Sequence, residues 1–155
     1  MKTGRAGRGG FLASCALLMG CGGADSSGPT TSHQMAGNWS YETRNLQDGH
    51  SATCTTSGTQ LRLTQQGVNF NGSALFGAIS CTWPGGGGSA NLGSGHVSAG
   101  AISGDSVSFT FDAGSWRSVG TFVTVDSMAG IANLIYVVNG SQLILTGYWS
   151  ARRQP

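Results

Sequence analysis

The most reactive side chains of this chain are its four cysteine thiols. Cys15 and Cys21 lie close to the N-terminus, whereas Cys54 and Cys81 lie further along the chain. A thiol can be a site of covalent modification, a metal ligand or one half of a disulfide. Because no Cys-x-x-Cys or His-x-x-x-His spacing occurs, a cysteine-based metal site is not expected. Covalent modification and disulfide formation are therefore the chemistries to consider.

The other polar side chains form no set that indicates catalysis. Asp105 and Asp126 occupy positions where turns need them, and Glu42 has the opposite parity to the apolar residues around it. The glycine run 85–88 is followed by neither a lysine nor a helical pattern, so it does not fit a phosphate-binding loop. We therefore expect no enzymatic activity, no metal and no cofactor. The three histidines lie in tether-like or loop-like segments, where we expect them to face solvent: His33, His50 and His96.

Residues 1–20 have the pattern of a removable export signal. Residues 11–20 form an apolar run, which is too short to span a bilayer, since that requires about 20 apolar residues. Such a run does fit the apolar region of a signal peptide. The segment before it contains basic residues and no acidic residue, as expected for the start of such a signal: Lys2, Arg5 and Arg8.

The apolar run ends in Leu18-Met19-Gly20-Cys21, which resembles the lipobox of bacterial lipoproteins. The resemblance implies that the Cys21 thiol receives a diacylglyceryl group and that the chain is cut just before it. Leu12-Ala13-Ser14-Cys15 also matches the pattern, but it leaves only about four apolar residues ahead of the cut, against the ~7 that a signal needs. We therefore prefer Cys21 to Cys15, and an ordinary secretory signal is the remaining alternative.

The predicted organisation is a signal peptide (1–20), a flexible tether (21–36) and a folded domain (37–155). Residues 22–31 are polar and rich in glycine, serine and threonine, a composition typical of a flexible linker. Residue 22 is glycine, whereas an aspartate there commonly retains such lipoproteins at the inner membrane. The resemblance therefore implies a cell-envelope location at the outer membrane, with membrane contact through two or three acyl chains, which anchor stably.

The charge balance argues against nucleic-acid binding. The formal net charge is +2, but three basic residues lie in the predicted signal. The part after residue 20 has no lysine and more acidic than basic residues. A nucleic-acid-binding protein needs a basic face, so we expect no such partner.

From residue 37 onward, apolar and polar residues alternate with period two, which predicts antiparallel strands with one buried face. Turn-forming pairs such as Gln66-Gly67 and Asn139-Gly140 separate the alternating segments. About eight strands are predicted, at roughly 38–45, 58–65, 68–77, 96–103, 106–112, 118–125, 128–138 and 141–151. Two longer connections remain, 46–57 and 84–95, of which we expect the second to be a mobile loop.

We predict an all-β fold, an eight-stranded antiparallel up-and-down barrel, with a sandwich as the alternative. The absence of long crossover connections favours the barrel, and closure removes exposed strand edges. Glycines recur inside the predicted strands, which indicates that the sheet must coil sharply or that other groups approach it closely. A general bias of composition toward glycine is the alternative. These glycines are Gly72, Gly100, Gly120, Gly130 and Gly147.

Gly37-Asn38-Trp39 opens the first strand and Arg152 follows the last one, which resembles the lipocalin and wider calycin pattern. The ending Gly147-Tyr148-Trp149-Ser150-Ala151-Arg152 is similar to that of short bacterial lipoproteins with lipocalin-like barrels. The resemblance implies that the guanidinium of Arg152, or of Arg153, stacks on the Trp39 indole and closes one barrel end. Trp149 would lie nearby. Alternatively, both tryptophans are ordinary core residues.

If Cys15 leaves with the signal and Cys21 is acylated, Cys54 and Cys81 remain in an exported domain. Two such cysteines are best interpreted as a disulfide, with two free thiols as the alternative. A bridge over a loop of this size should stabilise the domain by about 3–4 kcal/mol if chain entropy dominates.

Two functional hypotheses follow. In the first, the barrel of a lipid-anchored module binds a small apolar ligand. In the second, a solid barrel has a structural role and contacts an envelope protein partner through 46–57 and 84–95. Bulky aromatic residues on short strands favour a largely filled interior. For the first hypothesis, the predicted ligand-lining residues are Tyr41, Leu61, Leu63, Phe70, Val107, Phe109, Phe111 and Leu143.

Overall fold

A computed structural model describes residues 33–49, 51–112, 115–138 and 141–155. The predicted signal, both Cys15 and Cys21, nearly all of the tether and His50 lie outside these described residues. Within them the chain forms ten strands: β1 (Gly37–Gln47), β2 (Thr53–Gln66), β3 (Asn69–Leu75), β4 (Ala78–Trp83), β5 (Gly86–Asn91), β6 (Ser94–Ser103), β7 (Ser106–Phe111), β8 (Trp116–Thr124), β9 (Ser127–Val138) and β10 (Ser141–Arg153).

Eight of these strands close into an antiparallel barrel. The order around it is β1-β10-β9-β8-β7-β6-β3-β2, and β2 pairs with β1 to complete the ring. Trp39 lies opposite Arg153 on one side of β1 and opposite Leu61 on the other. Sequence neighbours pair around the ring with two exceptions: β3 pairs with β6, since β4 and β5 lie between them in the sequence, and the first strand pairs with the last. The predicted eight-stranded up-and-down barrel is therefore confirmed.

The strands β4 and β5 form a hairpin, which we call the arm (78–91), and it extends the barrel wall beyond one end. β3 and β4 pair with β2 in one unbroken register, since Gln60 faces Leu75 and Ser57 faces Ala78. On the other side, β5 pairs with β4 and β6 pairs with β3, again in one unbroken register across the break, since Ala78 faces Asn91 and Leu75 faces Ser94. Each pair is thus one long strand with a break, and Phe76 N donates to Gly93 O across it at 2.8 Å.

The arm corrects two predictions about loops. Most of 84–95 is strand rather than a mobile loop, and most of 46–57 belongs to β1 and β2. Backbone pairing with β4 holds β5, and all six of its residues are exposed. A strand with no buried face needs no apolar alternation, so the periodicity that identified the other strands is missing there.

Aromatic rings fill the barrel interior. The Tyr41 ring lies 5.3 Å from Phe111 and 5.6 Å from Trp149, and Phe109 lies 5.4 Å from both Phe111 and Trp149. These centroid separations are those of directly packed rings. Of the eight predicted lining residues, seven are buried here, and the Leu143 side chain lies outside the described residues. The prediction of a largely filled interior is therefore supported.

The interior glycines of the strands make room for close approaches. A Cβ added at any of the five predicted positions would come within 2.6 Å of a backbone oxygen. Gly120 faces Gly130 across β8 and β9, and the Trp149 indole lies over both. Its Nε1 donates to the carbonyl of Val119 at 3.2 Å. A large ring can therefore fit inside this barrel because the wall beneath it has no side chains.

Candidate functional site: the two ends of the barrel

One barrel end is closed by Trp39 and Arg153. The Arg153 guanidinium lies 4.4 Å from the centroid of the Trp39 ring. It donates to the carboxylate of Asp126 at 2.9 Å, to the Ala36 carbonyl at 2.6 Å and to the Gln34 carbonyl. The Trp39 Nε1 donates to the carbonyl of Met35 at 2.9 Å. These contacts bind the segment before β1 across the opening.

The stacked cation is Arg153 and not Arg152, which corrects the preferred assignment. Trp39 points into the barrel, and its partner in the β1–β10 register is Arg153. Arg152 is one residue away, so it faces outward and is exposed. Gly37 adopts a φ of +125°, and a Cβ there would lie 2.9 Å from the Arg153 guanidinium. A glycine at this position therefore leaves space for the cation.

Trp149 does not take part in this closure. It pairs with Thr43 and Gly130, four residues before Arg153 on β10. Its ring belongs to the aromatic interior, so for Trp149 the alternative of an ordinary core residue is the correct one. Both tryptophans are buried, but only Trp39 meets the cation.

The opposite end is open among the described residues, and there the arm and the barrel mouth together form a cup of about 760 Å³. Phe111 and Trp116 belong to both the cup lining and the buried core. The arm contributes a wall that includes Ile79 and Trp83. Trp83 is 46% exposed, and its ring lies within 3.4 Å of a Cβ position built at Gly88. Further lining comes from Ala52, Phe76, Ala90, Leu92, Leu134, Ile135 and Leu145, with polar groups from Ser89, Asn91, Asp112 and Ser115.

Among the described side chains, the predicted lining residues and the observed cup coincide only at Phe111. The other described members of that set pack inside the filled barrel, so they do not line a free space. Sequence reasoning missed the wall supplied by the arm, because β5 has no apolar periodicity. The mixture of Ile79, Cys81 and Trp83 at alternate positions was the one available signal.

A disulfide joins Cys54 of β2 to Cys81, which lies midway along β4 in the arm. The two residues face each other across β2 and β4, and both line the cup. The bridge therefore fixes the arm to the barrel wall and shapes the cup at the same time. The predicted disulfide is confirmed.

Beneath the cup, the Tyr41 hydroxyl is buried and 2.9 Å from the Ser118 hydroxyl. Burial raises the pKa of Tyr41 well above its ordinary value, and interactions with Ser118 and Trp116 oppose this effect only in part. The Trp116 Nε1 nevertheless forms no hydrogen bond of regular geometry, and it is the one such buried atom among the described side chains. Tyr41 therefore stays protonated and has a structural role.

The histidines differ from one another in their surroundings. The His33 side chain is only 11% exposed, because it stacks on Phe122 at 3.9 Å and lies 2.7 Å from the Asp105 carboxylate. The expectation that it faces solvent is therefore wrong, whereas His96 is exposed. No cluster of potential metal ligands occurs among the described residues.

Similarity to other proteins does not identify this chain. No protein-family model matches it, and no curated protein or solved structure is significantly similar to it. In the part of the chain that the structure describes, no helix has the length and apolarity to cross a membrane. What the protein does must therefore be inferred from its own residues.

Proposed function

We propose that this protein is a lipid-anchored cell-envelope lipoprotein whose lipocalin-like barrel binds a small apolar ligand in the cup at its open end. The cup is the observation that carries this proposal. Its volume of about 760 Å³ falls in the range of ligand pockets, roughly 300–1,000 Å³. Its walls are mainly apolar and aromatic, with a few polar groups, which is typical of sites for small molecules.

The cup, and not the barrel axis, is the place for a ligand. The axis is occupied by packed rings from Tyr41, Phe109 and Trp149. A ligand in the cup would instead lie on Phe76 and Trp116, which stack 5.6 Å apart and nearly parallel. Burial of an apolar molecule there would be favourable by ~25 cal/mol for each Å² of apolar surface removed from water.

The predicted lipid anchor is one argument for an envelope location. The lipobox-like segment ending in Cys21 predicts an acylated N-terminus, and the Cys54–Cys81 disulfide fits an exported domain. An anchored receptor works next to the membrane, where apolar molecules concentrate. We place the protein at the outer membrane, since residue 22 is glycine.

The second candidate function is contact with an envelope protein partner through the arm. The favouring observation is that β5 is exposed along its whole length and that Trp83 beside it is 46% exposed. A strand edge of this kind can accept an additional strand. The barrel would then have a structural role.

Native mass spectrometry separates these functions. The mature protein is released from membranes in mild detergent, and we expect an apolar molecule to copurify with it. Ala90→Glu places a carboxylate in the cup, at an exposed position of β5, and should abolish the bound mass because burial of an unpaired charge is costly.

Leu75→Glu is the matched control, since Leu75 is 59% exposed and lies outside the cup. This variant should keep the bound mass, and circular dichroism checks that both variants fold. If the wild-type protein is repeatedly empty, or if Ala90→Glu retains the ligand, the proposal of ligand binding in the cup is contradicted. Either result would favour the arm as a surface for a protein partner.

A further inference from the structure

The outer surface of β8, β9 and β10 is unusually apolar. Among the described side chains, ten large hydrophobic ones are exposed, and seven of these belong to this part of the barrel. Six of them lie on the three strands and define what we call the β8–β10 face, which at Ile135 reaches the rim of the cup: Val119, Val123, Ile131, Ile135, Ile144 and Tyr148. Contiguous exposed apolar surface of this kind marks an interaction site.

The strand register makes the face continuous. Val119 pairs with Ile131, which pairs with Tyr148, so one row crosses all three strands. Ile135 pairs with Ile144 closer to the open end. Directly opposed side chains lie about 4.5–5.5 Å apart at Cβ, and hence each row is one contact surface.

The charged side chains on the face that form no salt bridge have one sign. The outward positions of the three strands include Arg117 and Arg152, and no carboxylate. Neither arginine forms a salt bridge within the described residues. The nearest carboxylates, Glu42 and Asp126, are each paired with another arginine, at 2.8 and 2.9 Å. The face is therefore apolar with a positive margin.

The predicted tether leaves the barrel beside this face. The described chain begins at His33, which stacks on Phe122 of β8 at 3.9 Å. Val123 and Val125, at the adjacent β8–β9 turn, are 66% and 64% exposed. Residues 22–32 connect this point to Cys21, and a flexible segment of that length has a root-mean-square span of about 18 Å.

We propose that the β8–β10 face lies on the lipid surface that holds the acyl chains of Cys21. This inference rests on the lipid anchor of the proposed function. The aliphatic side chains of the two rows contact the outer acyl region. The Tyr148 hydroxyl lies at the level of the headgroups, and Arg117 and Arg152 lie against anionic headgroups. A tether of this length gives the acyl chains of Cys21 a root-mean-square distance of about 18 Å from the β8 end of this face.

The charge pattern disfavours a second copy of the chain as the occupant. Two identical faces joined about a two-fold axis bring like surfaces together. Such an interface would contain the arginines of both copies and no carboxylate from these strands, which costs free energy. A lipid surface with anionic headgroups has the complementary charge.

Hydroxyl-radical footprinting tests the contact. The mature lipidated protein is incorporated into vesicles of phosphatidylethanolamine and phosphatidylglycerol, and the oxidation of Tyr148 and Trp83 is measured by peptide mass spectrometry. Both residues are exposed, at 65% and 46%, but Trp83 lies on the arm. We expect severalfold weaker oxidation of Tyr148 than of Trp83.

Ile131→Asp places a carboxylate in the central row and should restore oxidation of Tyr148 while the protein stays anchored. Leu75→Asp, at an exposed position on β3, is the control and should leave Tyr148 protected. Centrifugation in a density gradient shows whether the protein floats with the vesicles. If it does, but Tyr148 is oxidised as strongly as Trp83, this inference alone is overturned. If the protein does not float with the vesicles, the anchor is overturned as well. Protection of Tyr148 that requires only a high protein concentration, without vesicles, would identify a second copy instead.

Discussion

Arg153 connects more parts of the molecule than any other charged side chain described. It stacks on Trp39 of β1, donates to the Asp126 carboxylate in an ion pair and donates to two carbonyls before β1. Sequence reasoning identified the glycine, the indole and a following arginine, but preferred Arg152. The choice between neighbours depends on strand register, which reverses the facing of every side chain when it shifts by one residue.

Substitution of Arg153 should therefore lower the free energy of unfolding much more than substitution of Arg152. Arg153→Ala removes a cation–π contact and charge-assisted hydrogen bonds from a side chain that is 24% exposed. The expected loss is about 2–3 kcal/mol of the free energy of unfolding. Arg152→Ala, at an exposed position, should change it by less than about 0.5 kcal/mol. Urea denaturation measures both, and equal losses would contradict the assignment of Arg153 as the closing residue.

At the scale of the elements, the pattern of the sequence predicted most strands and missed the arm. Strands with one buried face are identified by the alternation of apolar and polar residues. β7 and β8, for example, lie close to their predicted bounds. The arm is held mainly by backbone hydrogen bonds and one disulfide, which leave little trace in residue type. The cup was missed for the same reason, because one of its walls is the arm.

The disulfide should stabilise the arm against local unfolding more than it stabilises the barrel. Cys54 and Cys81 are 27 residues apart, and loss of such a cross-link costs about 3–4 kcal/mol in the chain-entropy treatment. The double variant Cys54→Ser/Cys81→Ser should show faster amide hydrogen exchange in 78–91 than the wild type, with a smaller change in β8–β9. Exchange that rises equally in both regions would show that the bridge supports the whole fold and not the arm.

At the scale of the whole molecule, closure compensates for sparse charge. Charged residues make up only 9% of the chain, so few side chains are available to keep open strand edges from pairing with other molecules. In the barrel every strand has two neighbours. The alternation, the short turns and the number of strands sufficed to predict this architecture, because those features determine how a sheet closes.

The location of the whole molecule depends on which N-terminal cysteine is acylated. Cys21→Ser should abolish incorporation of labelled palmitate, because the predicted thiol nucleophile is lost. Cys15→Ser should leave it unchanged, since that residue is expected to depart with the signal. Mass spectrometry of the mature N-terminal peptide gives the cleavage site directly. The reverse result, with acylation lost only in Cys15→Ser, would move the anchor to the other cysteine.

Three of the four tryptophans are buried and one is exposed, so tryptophan fluorescence can distinguish one site from the other three. Trp39, Trp116 and Trp149 are each at least 96% buried, whereas Trp83 is 46% exposed on the arm. An aqueous quencher such as iodide consequently reaches one indole and spares three. The quenchable fraction of the intrinsic fluorescence thus reports on the arm alone, so occupancy of the cup can be followed without attaching a dye.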